Sequence, residues 1–258
     1  MKDQTAKAHD EHVVQQFGAR AAAYVTSAVH AQGEDLQALA AFAKDGAFAR
    51  ALDLGCGGGH ASFTIAPHVG AVIAYDLSAD MLSAVAGEAA KRGLANLQTK
   101  QGNVENLPFA DASFDLVVTR YSAHHWHDWP AALREARRVL KPGGAAMFMD
   151  IIAPPSVLCD THMQAIELLR DTSHVRDYTA KEWTQALRDA GFAPGAPVLR
   201  RVRLEFASWI ARMQTPPVYA DAIRQLQKDA SADVRAHFAI EDDGSFTLDQ
   251  MSIIAKPA

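Results

Sequence analysis

Two carboxylates and a run of glycines hold the densest chemistry in this 258-residue chain. Residues 51–63 read ALDLGCGGGHASF, with Asp53 two positions before Gly55-Cys56-Gly57-Gly58-Gly59. Glycine lets a ligand approach the main chain closely and takes positive φ at little cost. Exposed loop N–H groups that lead into a helix are also suited to a polar ligand. A phosphate-cradling loop needs Lys followed by Ser or Thr; His60-Ala61-Ser62 stand here instead, so that reading fails. A dinucleotide loop of the form G-x-G-x-x-G wants its third glycine one residue later, and it would set the Asp53 carboxylate beside a pyrophosphate. A nucleoside cofactor that carries positive charge suits Asp53 better. Asp76 follows 23 residues after Asp53. A carboxylate at that place accepts hydrogen bonds from both hydroxyls of a ribose. Either kind of nucleoside cofactor wants it, and an acid at a strand end also serves as a helix cap.

Residues 119–130, TRYSAHHWHDWP, are the second concentration of reactive side chains. His124, His125 and His127 invite a metal reading, and His125-x-His127 with Asp128 has the spacing of a chelate. No further ligand clusters with them by spacing, so no metal is assigned. The two cysteines, Cys56 and Cys159, form neither a disulfide framework nor a metal-ligand pair, which fits a reducing compartment.

These groups need strands to hold them. Residues 50–55, 71–76, 97–103, 114–120 and 145–152 read as five short strands. The run at 114–120 is continuously apolar, as expected of a strand covered on both faces. Residues 60–69, 77–93 and 130–144 read as the helices between them. Ser78 caps the second of these, Lys91 and Arg92 sit in its last turn, and Gly93 ends it. Leu133, Ala136, Val139 and Leu140 form the buried stripe of the third. Such alternation predicts an open parallel sheet with helices on both faces. Asp53 and Asp76 then stand at neighbouring carboxyl-terminal strand tips, where sheets of this kind bind ligands.

Helices at 9–31 and 34–44 precede the alternation. After it come an irregular, partly helical insertion at 153–178 and a helix at 179–192 that Thr179 or Ser173 caps. A strand at 197–206, a polar helical stretch at 207–243 broken at Pro216-Pro217, and a last strand at 246–257 complete the chain. The two late strands have no crossover helix near either and are expected to pair antiparallel at one sheet edge. We read one domain. Residues 1–46 form a helical lid, 47–152 the ligand-binding core, and 153–178 with 207–243 the cap insertions; 179–206 and 244–258 complete the sheet.

Apolar residues at 49% and charged residues at 21% describe a globular chain and not a disordered one. A net charge of −5 gives no general drive toward nucleic acid or an anionic membrane. No apolar run reaches the roughly 18 residues of a membrane span, and MKDQTAKAHDEHVVQQF at the start lacks the apolar stretch of a signal peptide. A cytoplasmic protein is expected.

The segment Asp53-Leu54-Gly55-Cys56-Gly57-Gly58-Gly59 resembles motif I, D-x-G-x-G-x-G, of the class I S-adenosylmethionine-dependent methyltransferases. Residues 75–82 resemble their ribose segment, and residues 102–128 and 132–144 are similar to the type 11 branch exemplified by the ubiquinone and menaquinone methyltransferases. The match is dense over residues 51–150, and its four segments in this order are highly specific for the class. The resemblance implies an α/β fold: a Rossmann-like, doubly wound, mostly parallel seven-stranded sheet with an antiparallel last strand and a small helical cap. It implies S-adenosyl-L-methionine as cofactor, with Asp53 on the side where the sulfonium and ammonium charges lie. Gly55, Cys56 and Gly57 then contact its methionine and ribose part, and Asp76 takes the ribose hydroxyls. Adenine falls between Asp76-Leu77, Met81 and the turn Gly102-Asn103-Val104-Glu105, with Val104 against its face. Asn103 stands where the family usually has Asp; either side chain offers an oxygen to the adenine amino group. Arg120 and Ser122 line the methionine part. Tyr24 belongs to the N-terminal segment that folds over the cofactor in similar enzymes.

Similar enzymes carry a histidine pair in this pocket wall without metal. Of the pair, His125 is the candidate catalytic general base, a neutral imidazole able to take a proton from a hydroxyl, amine or acidic carbon. The plainer alternative is a histidine that positions the loop. Trp126 and Trp129 read as loop anchors. Phe17, Tyr24, His30, Tyr178, Phe206 and Trp209 are candidate substrate-lining groups under the cap, with core packing the competing role for each. Arg200, Arg201 and Arg203 read as a solvated face. Residues 17–30 depart from the N-terminal pattern of the quinone enzymes, which argues against a quinone substrate. The expected function is in-line methyl transfer to a small, partly apolar organic molecule, with no nucleic acid partner and a homodimer left open. A nicotinamide-dependent oxidoreductase and a non-catalytic cofactor-binding module are the alternatives.

Overall fold

The computed structural model describes residues 2–18, 20, 21, 25 and 33–258. Tyr24 and His30 lie outside them. Helices α1 (Lys2–Gly18) and α2 (Glu34–Asp45) lead into an alternation of β1 (Arg50–Leu54), α3 (His60–Ile65), β2 (Ala71–Asp76), α4 (Ala79–Lys91) and β3 (Leu97–Gln101). It continues through β4 (Phe114–Arg120), α5 (Trp129–Val139) and β5 (Leu140–Ile152). Then follow α6 (Val157–Arg170), α7 (Ala180–Asp189), β6 (Phe192–Pro194), β7 (Val198–Leu204), α8 (Phe206–Met213), α9 (Pro217–Asp229), α10 (Ala232–Phe238) and β8 (Phe246–Pro257).

The strands lie in the order β3-β2-β1-β4-β5-β8-β6, with β7 also paired to β8. Neighbours from β3 to β5 are parallel, and β8 runs antiparallel to β5, β6 and β7. From β1 the chain winds out to β3, then returns to β4 on the other side. The strand order therefore reverses between β1 and β4, and a crevice opens at their carboxyl ends.

Strand alternation divides the core between the two faces of the sheet. Leu52, Leu54, Val117 and Phe148 pack with Leu133 of α5 and Trp183 of α7 on one face. Ala51, Leu116, Val118 and Met147 pack with Leu39 of α2, Phe63 of α3 and Val85 of α4 on the other. A third cluster joins Met163 of α6, Trp209 of α8, Ile223 of α9 and Phe238 of α10 to Phe246 and Leu248 of β8.

The structure moves several expected boundaries. The helix expected over 130–144 ends at Val139, and β5 begins at Leu140. Pro142 cannot continue a helix, and Gly143 takes φ 80°. The helix expected to reach residue 192 stops at Asp189. Gly191 turns the chain at φ 87°, and Phe192 enters a short strand, β6, that the sequence reading lacked. Strands β6 and β7 both pair with β8 and are separated by Gly195-Ala196-Pro197, so the outer edge is one strand in two pieces. The last strand β8 is thus an inner strand and not an edge. Thr179, not Ser173, caps α7, in a reciprocal capping box with Glu182. The helical part of the insertion expected at 153–178 is α6, a regular helix of 14 residues capped by Ser156. No described helix is long and apolar enough to cross a membrane.

Candidate active site

The glycine loop closes over the end of β1 by its own turns. Gly55, Gly57 and Gly59 take φ of 62°, 47° and 78°, values that suit glycine. A Cβ on Gly55 would lie 1.9 Å from Ser122 Oγ, and one on Gly59 would crowd Phe63 and Val85. A Cβ on Gly57 would meet nothing within 4 Å, because this residue borders a cavity.

That cavity takes in about 1040 Å3, its open mouth included. Asp53, Gly55, Cys56, Gly57, Asp76, Leu77, Met81, Asn103, Val104, Arg120, Ser122 and His125 all line it. The structure therefore brings together twelve of the fourteen residues assigned from sequence to cofactor binding or catalysis. Of the other two, Tyr24 lies outside the described residues. Gly102 is not in the wall: its main-chain N–H donates to the Asp76 carbonyl, and a Cβ there would strike the Tyr75 hydroxyl.

Asp53 is 1% exposed. Its Oδ2 accepts the Ser62 N–H at 3.0 Å and the Ser62 hydroxyl at 2.6 Å. Oδ1 is buried and has no hydrogen-bond partner among the described residues. Burial pushes its carboxyl up to about 7, against the pull of both Ser62 hydrogen bonds. Asp76 accepts the Gly57 N–H on Oδ2 and the Ser78 N–H on Oδ1, both at 2.9 Å; it braces the loop it faces. Burial raises its carboxyl as well. Burial and the charges of Asp76 and Asp53 push the Cys56 thiol up, so this cysteine is a poor nucleophile.

Asn103 Nδ2 donates to Asp10 Oδ2 at 2.7 Å, and its Oδ1 accepts the Glu105 N–H at 2.7 Å. Asp10 belongs to α1, which adds Val13 and Phe17 to the cavity wall. The N-terminal helix thus contributes one side of the pocket. Arg120 Nε lies 2.5 Å from Asp35 Oδ2 of α2, so the end of β4 is tied to a second N-terminal element.

A second cavity, about 1590 Å3 with its mouth, shares Phe17, Arg120, Tyr121 and His125 with the first. Tyr121 takes φ 52° between them, the kind of backbone strain that collects at functional sites. The second cavity adds His124, Glu167, Arg170, Asp171, Asp177, Trp209 and Gln250. Arg200, Arg201 and Arg203 line it too; the face expected to be only solvated borders a pocket. Phe17 lines both cavities and Trp209 the second. Phe206 packs in the third core cluster, and Tyr178 stacks on Trp129 with ring centroids 3.7 Å apart.

The two histidines differ in state. His125 Nδ1 lies 3.1 Å from the Ser173 carbonyl oxygen, an acceptor, so this nitrogen carries the proton. Burial, then the neighbouring His124 charge, pushes His125 down to about 4. It is neutral near pH 7, with weak basicity. Burial alone would lower His124, but the charge and hydrogen bond of Asp150 at 2.7 Å raise it to about 9. Asp150, at the end of β5, also accepts the Ala123 N–H. Asp128, weighed as a chelating partner, caps α5 through the Ala131 N–H instead. Asp150, Asp177, Asp10 and Tyr121 were missed from sequence, and His124 was seen there only as one of a histidine group. Asp150 alone left a sign, a carboxylate inside the apolar run AAMFMDII.

A methyltransferase domain model matches residues 52–148. Over 225 residues the chain is 35% identical to the uncharacterized methyltransferase YcgJ of Bacillus subtilis, covering 87% of this chain and 88% of that one. The chain belongs to the S-adenosylmethionine-dependent methyltransferases. This methyltransferase is also 49% identical to the uncharacterized protein YafE of Escherichia coli over 200 residues, 78% of this chain and 97% of that one. The crystal structure of Bacillus subtilis YcgJ matches it with a TM-score of 0.83 at 32% identity, covering 87% of this chain and 99% of that chain.

S-adenosylmethionine is the cofactor of this methyltransferase, and the first cavity fits it on two observations. The orphaned, buried Asp53 Oδ1 is an acceptor that the positive charge of such a cofactor would satisfy. The open space above Gly57 is a cradle that any side chain would fill.

Proposed function

We propose that the methyltransferase transfers a methyl group to a small, partly apolar organic molecule bound in the second cavity. The junction of the two cavities at Phe17, Arg120, Tyr121 and His125 carries this reading. S-adenosylmethionine supplies an electrophilic methyl group on a sulfonium, open to in-line displacement. The chain itself chiefly aligns the reactants and excludes water.

In the first cavity Asp76 holds the ribose hydroxyls with the acceptor capacity left after two backbone bonds. Asp53 Oδ1 faces the positive charge. Gly55, Cys56 and Gly57 meet the methionine and ribose part, and Arg120 and Ser122 the methionine end. Leu77, Met81, Asn103 and Val104 surround the adenine. In the second cavity Trp209 and Leu248 supply apolar contact beside Arg170 and Gln250. His125 accepts a hydrogen bond from the nucleophile's O–H or N–H through Nε2. With a pKa of about 4, it orients the nucleophile more than it holds a proton in the ground state.

Two variants separate the cavities. Asp76→Ala should weaken S-adenosylhomocysteine binding by about 1–3 kcal/mol, since it strands ribose hydroxyls and loop N–H groups. His125→Ala should leave that affinity nearly unchanged and lower turnover in a radiolabelled methyl-transfer screen over hydroxylated aromatics, quinols, amines and hydroxy acids. Undiminished turnover in His125→Ala would remove this histidine from the reading. Unaltered cofactor affinity in Asp76→Ala would remove Asp76.

A further inference from the structure

We propose that His124, Asp150 and Asp177 form a binding site for one first-row divalent cation, open to the second cavity. Their ligand atoms all lie within 4.8 Å of one another. His124 Nδ1 stands 2.7 Å from Asp150 Oδ1 and 3.9 Å from Asp177 Oδ1. Ligand atoms around a bound cation of this size lie roughly 3 Å apart. The pocket needs only to open slightly on one side and draw in on the other.

Asp177 supplies the independent sign. It is 2% exposed, and its Oδ2 has no hydrogen-bond partner among the described residues. The neighbouring His174 Nε2 is 3.7 Å from it and already bonds Gln164 Oε1 at 3.0 Å, and the His124 ring lies 3.9 Å from the other oxygen, Oδ1. A carboxylate left so in the interior is costly unless something compensates it, and a cation shared with His124 and Asp150 would do so.

The three groups are also held as ligands usually are, by a surrounding layer of hydrogen bonds. Asp150 accepts main-chain N–H groups from Ala123 and Ile151. The Asp177 main chain is clamped at both its N–H and its carbonyl by Gln164. The His124 carbonyl accepts from Val175 and Arg176. Asp150 sits behind, while His124 and Asp177 border the cavity, so one side is free for an exogenous oxygen. One imidazole and two carboxylates suit Mn2+ or Zn2+. A part for the cation in methyl transfer rests on the second cavity being the acceptor site; the binding itself does not, and the two can fail separately.

The test uses the full chain, stripped with chelator and titrated with MnCl2 and ZnCl2 without any methyl acceptor. Electron paramagnetic resonance of Mn2+ and calorimetry with Zn2+ should each give one site per chain. Asp177→Asn and His124→Gln should weaken both by at least about tenfold, with S-adenosylhomocysteine binding retained as the sign of an intact fold. Cobalt(II) in the wild type should give d–d bands of nitrogen and oxygen ligation without a thiolate band; this arm stands even where a variant does not fold. Absence of stoichiometric metal, binding that survives Asp177→Asn, or a thiolate band would each overturn the site.

Discussion

Asp53 carries the sharpest consequence at the scale of one residue. In free solution a carboxyl of its kind ionises near 3.8, but in the fold it does so at about 7. A ligand with a sulfonium and an ammonium binds the ionised form. S-adenosylmethionine affinity should therefore rise by about tenfold from pH 6 to pH 8 and level off above. Asp53→Asn should flatten this profile, as read by calorimetry at each pH. The sign for stability is opposite. Between 3.8 and about 7 the folded chain holds a proton that the unfolded chain has lost, so ligand-free stability declines as pH rises through that window. Asp53 and Asp76 were legible because glycine spacing and strand ends constrain their neighbourhood locally. Asp150 and Asp177 were not, since they meet His124 from β5 and a distant loop only once the chain is folded.

Among the elements, the loop after β1 separates two uses of glycine. Gly55→Ala would drive a Cβ into Ser122 and strain φ 62°; a loss of about 1–3 kcal/mol is expected in denaturant unfolding. Gly57→Ala meets open space at φ 47°. It should cost stability only about 1–2 kcal/mol, while S-adenosylhomocysteine affinity falls because the methyl occupies the cradle. The alternation of strand and helix was readable because burial on two faces leaves a continuous apolar run. Boundaries were not. Leu140 is buried whether it closes a helical stripe or opens β5, so burial pattern could not distinguish the two states; Pro142 and Gly143 decide it. Strand β6 was hidden by its three-residue length, too short for any period to show.

At the scale of the whole molecule, β8 is the strand that unites the parts. It pairs with β5 on one side and with β6 and β7 on the other, and its first residue, Phe246, sits edge-on to Trp209 at 4.9 Å in the third core. Phe246→Ala should cost about 3–5 kcal/mol, read as a lowered urea midpoint, because α6, α8, α9 and α10 lose their anchor to the sheet. The four residues common to both cavities carry a different kind of consequence. A partition with one molecule on each side cannot respond to one of them alone. By thermodynamic reciprocity, whatever factor S-adenosylhomocysteine adds to the grip on the acceptor, the acceptor must return to S-adenosylhomocysteine. Calorimetric titrations of each ligand, with the other absent and then saturating, should yield the same factor in both directions. Where that factor exceeds one, acceptor searches run on cofactor-free protein under-rate the true substrate.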